Sequence, residues 1–143
     1  MSIRVQREAF DPWAVLREAE QGQGGLQGKF GATAVFVGTS RDFNDGVAVA
    51  AMTLEHYPGM TERHLEKIEA EARARWPILE ALVLHRYGPL APGEPIVLVA
   101  VWSAHRDAAF AACRYLIDEL KTRAPFWKLE ATADGGRWVT PTE

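Results

Sequence analysis

The apolar run IVLVAVW, residues 96–102, constrains the fold of this chain more than any other stretch. An uninterrupted run rich in β-branched residues is typical of a strand, and the lack of polar alternation indicates a strand covered on both faces. The run is too short to cross a bilayer as a helix. It therefore predicts a central strand with other elements packed on each side.

The rest of the sequence alternates between strand-like and helix-like segments. Asp11 before Pro12 predicts the start of a short helix, and two longer amphipathic helices are predicted over about 61–76 and 105–123. Because several strands are joined by short turns, the pattern predicts an α+β fold with a mixed, largely antiparallel sheet, about three helices and one domain, residues 1–143. The strands are predicted at 3–7, 31–38, 47–56, 79–87, 95–103, 126–131 and 138–139, with a loop or hairpin between the second and third.

Charge and cysteine content restrict the class of partner. The net charge of −3 gives no general attraction for nucleic acid or for a membrane, so any anion site must be a local cluster of basic residues. The single cysteine, Cys113, cannot form an intrachain disulfide, and its place in an apolar helical pattern predicts a buried thiol. The first residues lack the apolar run of a signal peptide, so we expect a cytoplasmic protein.

Common metal and phosphate motifs do not account for the chain. None of the histidines pairs with another at ligand spacing, and His85 and His105 are each followed by an arginine, whose charge opposes a metal cation. The glycine-rich stretch at 22–25 has neither the spacing nor the preceding strand of a phosphate loop. We therefore expect no metal site and no nucleotide loop.

Basic residues at the ends of predicted elements remain as candidates. Arg41 follows a strand, and His105 and Arg106 follow the central strand and begin the long helix, where free backbone N–H groups favour an anion. Lys121 lies near the end of that helix, about 24 Å away at 1.5 Å per residue. If His105-Arg106 and Lys121 share a small-ligand site, two copies of the chain must contribute to it.

Each of these residues also has a purely structural interpretation. Lys121 could complement the helix dipole, Lys128 could lie on a solvated strand face, and Arg41 could be a solvated loop residue. The chain has four lysines against twelve arginines, and two of the four lie in LKTRAPFWKLE, residues 120–130. Residue pattern alone leaves both interpretations open.

The resemblance to a known family narrows the choice. Six segments, in order and without large gaps, resemble the catalytic (large) subunit of molybdopterin synthase, and the combination of LEHYPGM, SAHR and LKTRAPFWKLE is the most specific part. The segments are GATAVFVGTSRD, MTLEHYPGMTE, ARARWP, VLHRYGPLAPGE, VLVAVWSAHRDAAFAAC and IDELKTRAPFWKLEATADGGRWV.

The resemblance implies an α/β hammerhead-type fold and a homodimer. Each end of such a dimer binds a small ubiquitin-like sulfur-carrier subunit, which gives a heterotetramer. The carrier's C-terminal Gly-Gly tail, activated as a thiocarboxylate, enters a pocket and supplies sulfur to cyclic pyranopterin monophosphate. Two transfers make the dithiolene of molybdopterin, and this step needs no metal or redox cofactor.

The resemblance also implies a set of site residues, with the His-Arg pair contributed by the neighbouring subunit. Lys121 would stabilise the oxyanion or transfer protons at the carrier tail, and Lys128 would act on the pterin side. Ser40 stands where the family commonly has valine, and the short 42–47 loop and C-terminal tail leave any contribution of Arg137 open. The substrate-binding set is Thr39, Ser40, Arg41, His105, Arg106, Lys121, Lys128, Leu129 and Glu130.

Two other classes of function compete with a sulfurtransferase. A non-catalytic dimeric module that binds a ubiquitin-like tail or a phosphorylated ligand would need only positive charge, whereas this arginine-rich chain has lysine at both 121 and 128. Nucleic-acid binding is disfavoured by the acidic balance and by Asp118, Glu119 and Glu130 among the basic residues.

Overall fold

A computed structural model describes residues 2–44, 47–48, 51–132 and 135–139, with the backbone alone for residues 2, 43–44, 47–48, 51, 127–132 and 137–139. The predicted α+β fold with mixed, largely antiparallel sheet structure and three α-helices is confirmed for this part of the chain. The helices are α1 (Pro12–Gln21), α2 (Met60–Arg75) and α3 (Arg106–Arg123), and a short 3-10 helix covers Gly24–Leu26. The strands are β1 (Ser2–Gln6), β2 (Ala32–Thr39), β3 (Phe43–Asn44), β4 (Val47–Ala48), β5 (Ala51–His56), β6 (Ile78–Arg86), β7 (Gly88–Leu90), β8 (Pro95–Ser103), β9 (Phe126–Thr132) and β10 (Gly135–Val139).

The first sheet has the strand order β1-β6-β8-β2, in which β1 and β6 are parallel and the other pairs antiparallel. Strand β8 is the predicted central strand, and residues 98–102 are fully buried. Val99 and Val101 pack with the residues of α2 and α3, while Leu98 and Trp102 pack with those of α1. Burial of such a side chain stabilises the fold by roughly 1.5–3 kcal/mol, which explains why β8 carries no polar alternation.

The second sheet is antiparallel, with the order β10-β9-β5-β7. The sequence predicted one strand over 47–56, whereas the structure has β4 and β5 there, with residues 49–50 outside the described part. Strands β2 and β5 lie in different sheets, and the predicted hairpin is formed by β3 and β4 in the connection between them. The physical reason is that β2 pairs along its length with β8, so β5 pairs instead with β7 and β9.

The chain passes between the sheets next to Arg86. Strand β6 ends there in the first sheet, Tyr87 donates its backbone N–H to Gln6 O (2.9 Å), and Gly88 begins β7 in the second sheet. Gly88 has a φ of 86°, a left-handed conformation that glycine adopts without a steric cost. This corner places the end of β6 beside elements of both sheets.

Local sequence signals explain the helix ends. Asp11 caps α1 as predicted, because its side chain accepts hydrogen bonds from Trp13 N (3.0 Å) and Ala14 N (3.5 Å). His105 is the N-cap residue of α3, and Cys113 is buried in the middle of that helix, as predicted. Burial raises the pKa of the Cys113 thiol to about 11. Within the described residues, no helix is both long and apolar enough to cross a membrane.

Candidate active site

A cavity of about 200 Å³ lies where β2 and β6 end, α3 ends and β9 begins. Its floor is apolar and buried, formed by residues such as Leu54, Ile117, Leu120 and Phe126. Its polar lining includes Thr39, Arg41 and Lys121, all of them exposed. An apolar pocket with a few polar groups at its mouth is the usual form of a small-ligand site.

Thr39 and Arg41 reach this cavity because of the way β2 ends. The pairing of β2 with β8 shifts register between Gly38 and Thr39. Ser40 is then buried and bonded through its backbone to the 91–94 turn, and Arg41 follows as an exposed lining residue. The backbone at the end of β2 is therefore fixed at Ser40, which lies beside the cavity lining rather than in it.

Lys121 reaches the same cavity from the last turn of α3. The preceding residue, Leu120, is buried in the floor of the cavity, and the chain turns back immediately after the helix. In that turn Ala124 N donates to Leu120 O (3.2 Å), and Phe126 N donates to Ala124 O (2.9 Å). A cation here also complements the helix dipole, so the structural interpretation of Lys121 and its place in the cavity are compatible.

The structure describes only the backbone of Lys128, Leu129 and Glu130, which lie in β9; their side chains lie outside the described part. In the strand register Lys128 pairs with Leu54, a residue of the cavity floor. The side chain of Arg137, in β10, and residues 45–46 of the 42–47 loop also lie outside the described part.

His105 and Arg106 lie at the opposite end of α3 from the cavity. Both are exposed and line a separate cleft with Gly31 and Ala104. Gly31 donates its backbone N–H to Ser103 O (3.0 Å), and a Cβ atom at position 31 would overlap the Ala104 carbonyl oxygen. One chain therefore keeps the His-Arg pair apart from Lys121, as the helix length predicted.

His85 is a cavity residue that the sequence interpretation did not assign to the site. Its ring stacks on Phe126, with the ring centroids 3.8 Å apart and the planes at 16°. Its Nδ1 lies 2.7 Å from the Arg86 carbonyl oxygen, and because a carbonyl only accepts, Nδ1 carries the proton. The signal available in the sequence was a histidine near the end of an apolar strand, directly followed by an arginine.

A second histidine approaches the same Phe126 ring. The centroids of His56 and Phe126 are 5.9 Å apart, and His56 also lies 4.4 Å from Tyr87. The His56 Nδ1 is 3.1 Å from the Thr61 hydroxyl, which itself donates to Tyr57 O (2.8 Å), so Nδ1 is the donor to Thr61. The segments LEHYPGM, LHRYG and RAPFW therefore meet at one aromatic residue of the cavity floor.

An ion-pair cluster fixes the last turn of α3 to α2. Arg123 donates two hydrogen bonds to Glu71, at 2.6 Å (Nη2 to Oε1) and 2.9 Å (Nη1 to Oε2), and the Tyr115 hydroxyl donates to Oε2 at 3.1 Å. The Arg123 guanidinium holds the pKa of Glu71 at about 2. This cluster restrains the turn that carries Lys121.

Among the described residues no three histidine, cysteine, aspartate or glutamate side chains are grouped so that they could hold a metal ion. Arg41 and Lys121 carry positive charge at the mouth of an apolar cavity. An anion that loses hydration water there can form charge-assisted hydrogen bonds with these two side chains.

Comparison with known proteins identifies the relatives of the chain. The family model described as MoaE protein matches residues 5–123. The molybdopterin synthase catalytic subunit of Pseudomonas aeruginosa is 58% identical over 139 residues, which cover 97% of this chain and 90% of that protein. The solved structure of a molybdopterin biosynthesis MoaE protein from Burkholderia ambifaria is 49% identical with a TM-score of 0.81, covering 99% of this chain and 90% of that one. The crystal structure of molybdopterin synthase from Staphylococcus aureus is 32% identical with a TM-score of 0.81 and covers 95% of both chains.

Proposed function

The chain belongs to the MoaE family, and from this premise we propose that it is the catalytic subunit of a molybdopterin synthase. It is a sulfurtransferase that moves sulfur from the thiocarboxylated C-terminus of a small ubiquitin-like carrier to cyclic pyranopterin monophosphate. One observation carries the proposal for the site: Arg41 and Lys121, eighty residues apart in sequence, line a single cavity with an apolar floor.

The active assembly is a homodimer that binds two carrier subunits, a heterotetramer. The site would be composite, since His105 and Arg106 lie about 24 Å along α3 from Lys121, and a second copy would supply them. The whole chain, residues 1–143, forms the one domain of this subunit, and the cytoplasm is the compartment that we propose for it.

Two anions must meet in this cavity, the carrier's thiocarboxylate and the substrate's phosphate. Arg41, together with His105 and Arg106 of a second copy, suits the phosphate because guanidinium forks match its oxygens. A Gly-Gly tail has no side chains, so it fits a narrow cavity of about 200 Å³ with an apolar floor. Thr39, Leu129 and Glu130 complete the proposed substrate-binding set, and Ser40 supports it through its backbone beside the cavity.

Lys121 and Lys128 are the proposed catalytic residues. Lys121 lies at the cavity mouth, where its ammonium would stabilise the oxyanion that forms at the tail carbonyl, or transfer a proton, as sulfur is released. Lys128 would act on the pterin side, and its backbone pairs with Leu54 of the cavity floor. The low-polarity floor strengthens the interaction of either charge with an anion.

The test is reconstitution of the purified chain with thiocarboxylated carrier and cyclic pyranopterin monophosphate, followed by an assay for molybdopterin. Lys121→Ala is expected to lower the rate about 10²- to 10³-fold, the usual effect of removing an oxyanion donor. Lys121→Arg keeps the charge but not a readily titrated amine, so full activity in this variant would mean that positive charge alone is sufficient.

The matched control is Lys67→Ala, an exposed lysine on α2 that lies outside the cavity lining. It should retain the rate of the unmodified chain. Carrier binding without any molybdopterin from the unmodified chain would instead support the non-catalytic binding module. A normal rate for Lys121→Ala would remove the catalytic role of that lysine.

A further inference from the structure

We propose that Arg86 and Glu94 are positioning residues that hold the backbone at Ser40 so that Arg41 is presented to the substrate phosphate. The inference rests on the proposed function, in which Arg41 binds that phosphate. Neither residue lines the cavity, so their effect would pass through the 91–94 turn and the end of β2.

Arg86 is a buried arginine whose guanidinium is bonded at all three nitrogens. Nε donates to Arg7 O (3.1 Å), Nη2 to Pro89 O (3.2 Å) and Nη1 to Glu94 Oε2 (3.2 Å). Its side chain is 7% exposed, against 37% for that of Glu94. A lysine has its three donors on a single nitrogen, so it cannot reproduce bonds that leave three different nitrogens of a planar guanidinium. The residue therefore joins the end of β1, strand β7 and the turn before β8.

Glu94 closes the turn to which Arg86 is bonded. Its Oε1 accepts from Ala91 N (2.5 Å), and its backbone N–H donates to Ala91 O (3.2 Å). The Ala91 N–H bond, followed by the bond from Arg86, holds the pKa of the Glu94 carboxyl below its usual range. The carboxylate thus links the buried guanidinium to the backbone of the turn.

The same turn holds Ser40 by two backbone hydrogen bonds. Ser40 N donates to Glu94 O (2.9 Å), and Gly93 N donates to Ser40 O (2.6 Å). Gly93 has a φ of 89°, which glycine adopts without strain. Because Ser40 is buried and directly precedes Arg41, these two bonds fix the point from which the Arg41 side chain extends towards the cavity.

Both hydrogen bonds at Ser40 use the backbone, so they do not depend on the hydroxyl of its side chain. The placement of Arg41 would then depend on Arg86 and Glu94, which are distant from it in sequence and are linked to it through the backbone of Ser40.

The experiment measures KM for cyclic pyranopterin monophosphate and kcat in the assembled complex with thiocarboxylated carrier. Glu94→Gln is expected to raise KM about five- to tenfold with a smaller change in kcat, because substrate binding is weakened more than the chemistry. Arg86→Lys keeps the charge but not the three-way fork and should show the same split. The matched control is Glu69→Gln on α2, which breaks the ion pair between Glu69 and Arg73 (2.6 Å). Like the pair of Arg86 and Glu94, this pair joins one buried and one partly exposed side chain. This control should leave KM unchanged.

A double-mutant cycle with Arg41→Ala separates positioning from other effects. If Glu94 acts through Arg41, Glu94→Gln should add no further rise in KM to the Arg41→Ala chain. Independent, multiplying effects would overturn the proposal, as would an unchanged KM in both Glu94→Gln and Arg86→Lys. An Arg41→Ala chain with normal KM would instead contradict the proposed phosphate site itself, and the positioning role with it.

Discussion

The two ends of α3 present their cations in opposite settings. At the C-terminal end, Lys121 follows the buried Leu120, and the last turn is bonded to α2 through Arg123 and Glu71. At the N-terminal end, His105 and Arg106 are exposed beside a cleft. Within the part of the chain that the structure describes, the His105 side chain makes no capping bond to its own helix.

This difference fits the proposal that the two ends of α3 contribute to two different composite sites. A lysine that acts on a reacting bond needs a fixed position, and the chain supplies that position with its own floor and ion pairs. In the proposed composite site, this exposed His-Arg pair binds the substrate held by a neighbouring copy. The length of α3 would then set the spacing between the two sites of the proposed dimer.

The largest expected effect comes from mixing two damaged chains. Arg106→Ala and Lys121→Ala are each expected to be nearly inactive, whereas dimers re-formed from an equal mixture should recover about one quarter of normal molybdopterin formation. The reason is that half of the mixed dimers are heterodimers, each with one intact composite site. Activity is measured after dissociation and reassociation, with the unmixed variants treated identically. No recovery in verified heterodimers would mean that each site lies within one chain.

A smaller effect is expected at the N-terminal end when Gly31 becomes alanine. The new Cβ would overlap the Ala104 carbonyl oxygen, so the backbone before His105 must move, at a cost of about 1–3 kcal/mol in the free energy of unfolding. Urea denaturation measures this cost, and substrate affinity of the dimer should fall as well. Gly25→Ala is the control, because a Cβ there meets no atom within 4 Å. Equal stability of the two variants would show that the N-terminal end tolerates displacement.

The smallest effect is expected from Glu71→Gln at the C-terminal end, and it depends on pH. Because Arg123 lowers the pKa of Glu71 to about 2, its stabilisation is fully present above the ordinary value of 4.5 and is lost as pH falls towards 2. Thermal unfolding should therefore show the largest difference between the two chains near neutral pH and convergence in acid. The control is Asp118→Asn, which breaks the exposed pair with Arg114. A pH-independent difference would show that the charge of Glu71 is unimportant.

Much of the fold was predictable because its signals are local. The unbroken apolar run of β8 predicted a strand buried on both faces, and Asp11 before Pro12 predicted the start of α1. The burial of Cys113 followed from its place in an apolar helical pattern. The resemblance to the molybdopterin synthase catalytic subunit is confirmed by the family match and the relatives.

The remaining features depend on contacts between distant parts of the sequence. The strand predicted over 47–56 is described as β4 and β5, with residues 49–50 outside the described part, and its sequence did not reveal that β5 takes its partners from β7 and from β9, which follow later in the chain. His85 resembles any residue at a strand end until Phe126 stacks on it. Arg41 could be explained by solvation and Lys121 by the helix dipole, and only the tertiary fold brings them to one cavity. The roles of all the proposed site residues stay predictions: Thr39, Ser40, Arg41, His105, Arg106, Lys121, Lys128, Leu129 and Glu130.

The central position of β8 has a consequence for synthesis on the ribosome. Strands β1, β2 and β6 all emerge before it, and the pairings β2–β8 and β6–β8 that complete the first sheet cannot form until β8 has left the exit tunnel. Until then β2 exposes an apolar, unpaired edge, and closing so long a loop slows folding. The strand that makes the finished sheet stable thus also defines the interval during which the nascent chain is most prone to aggregate.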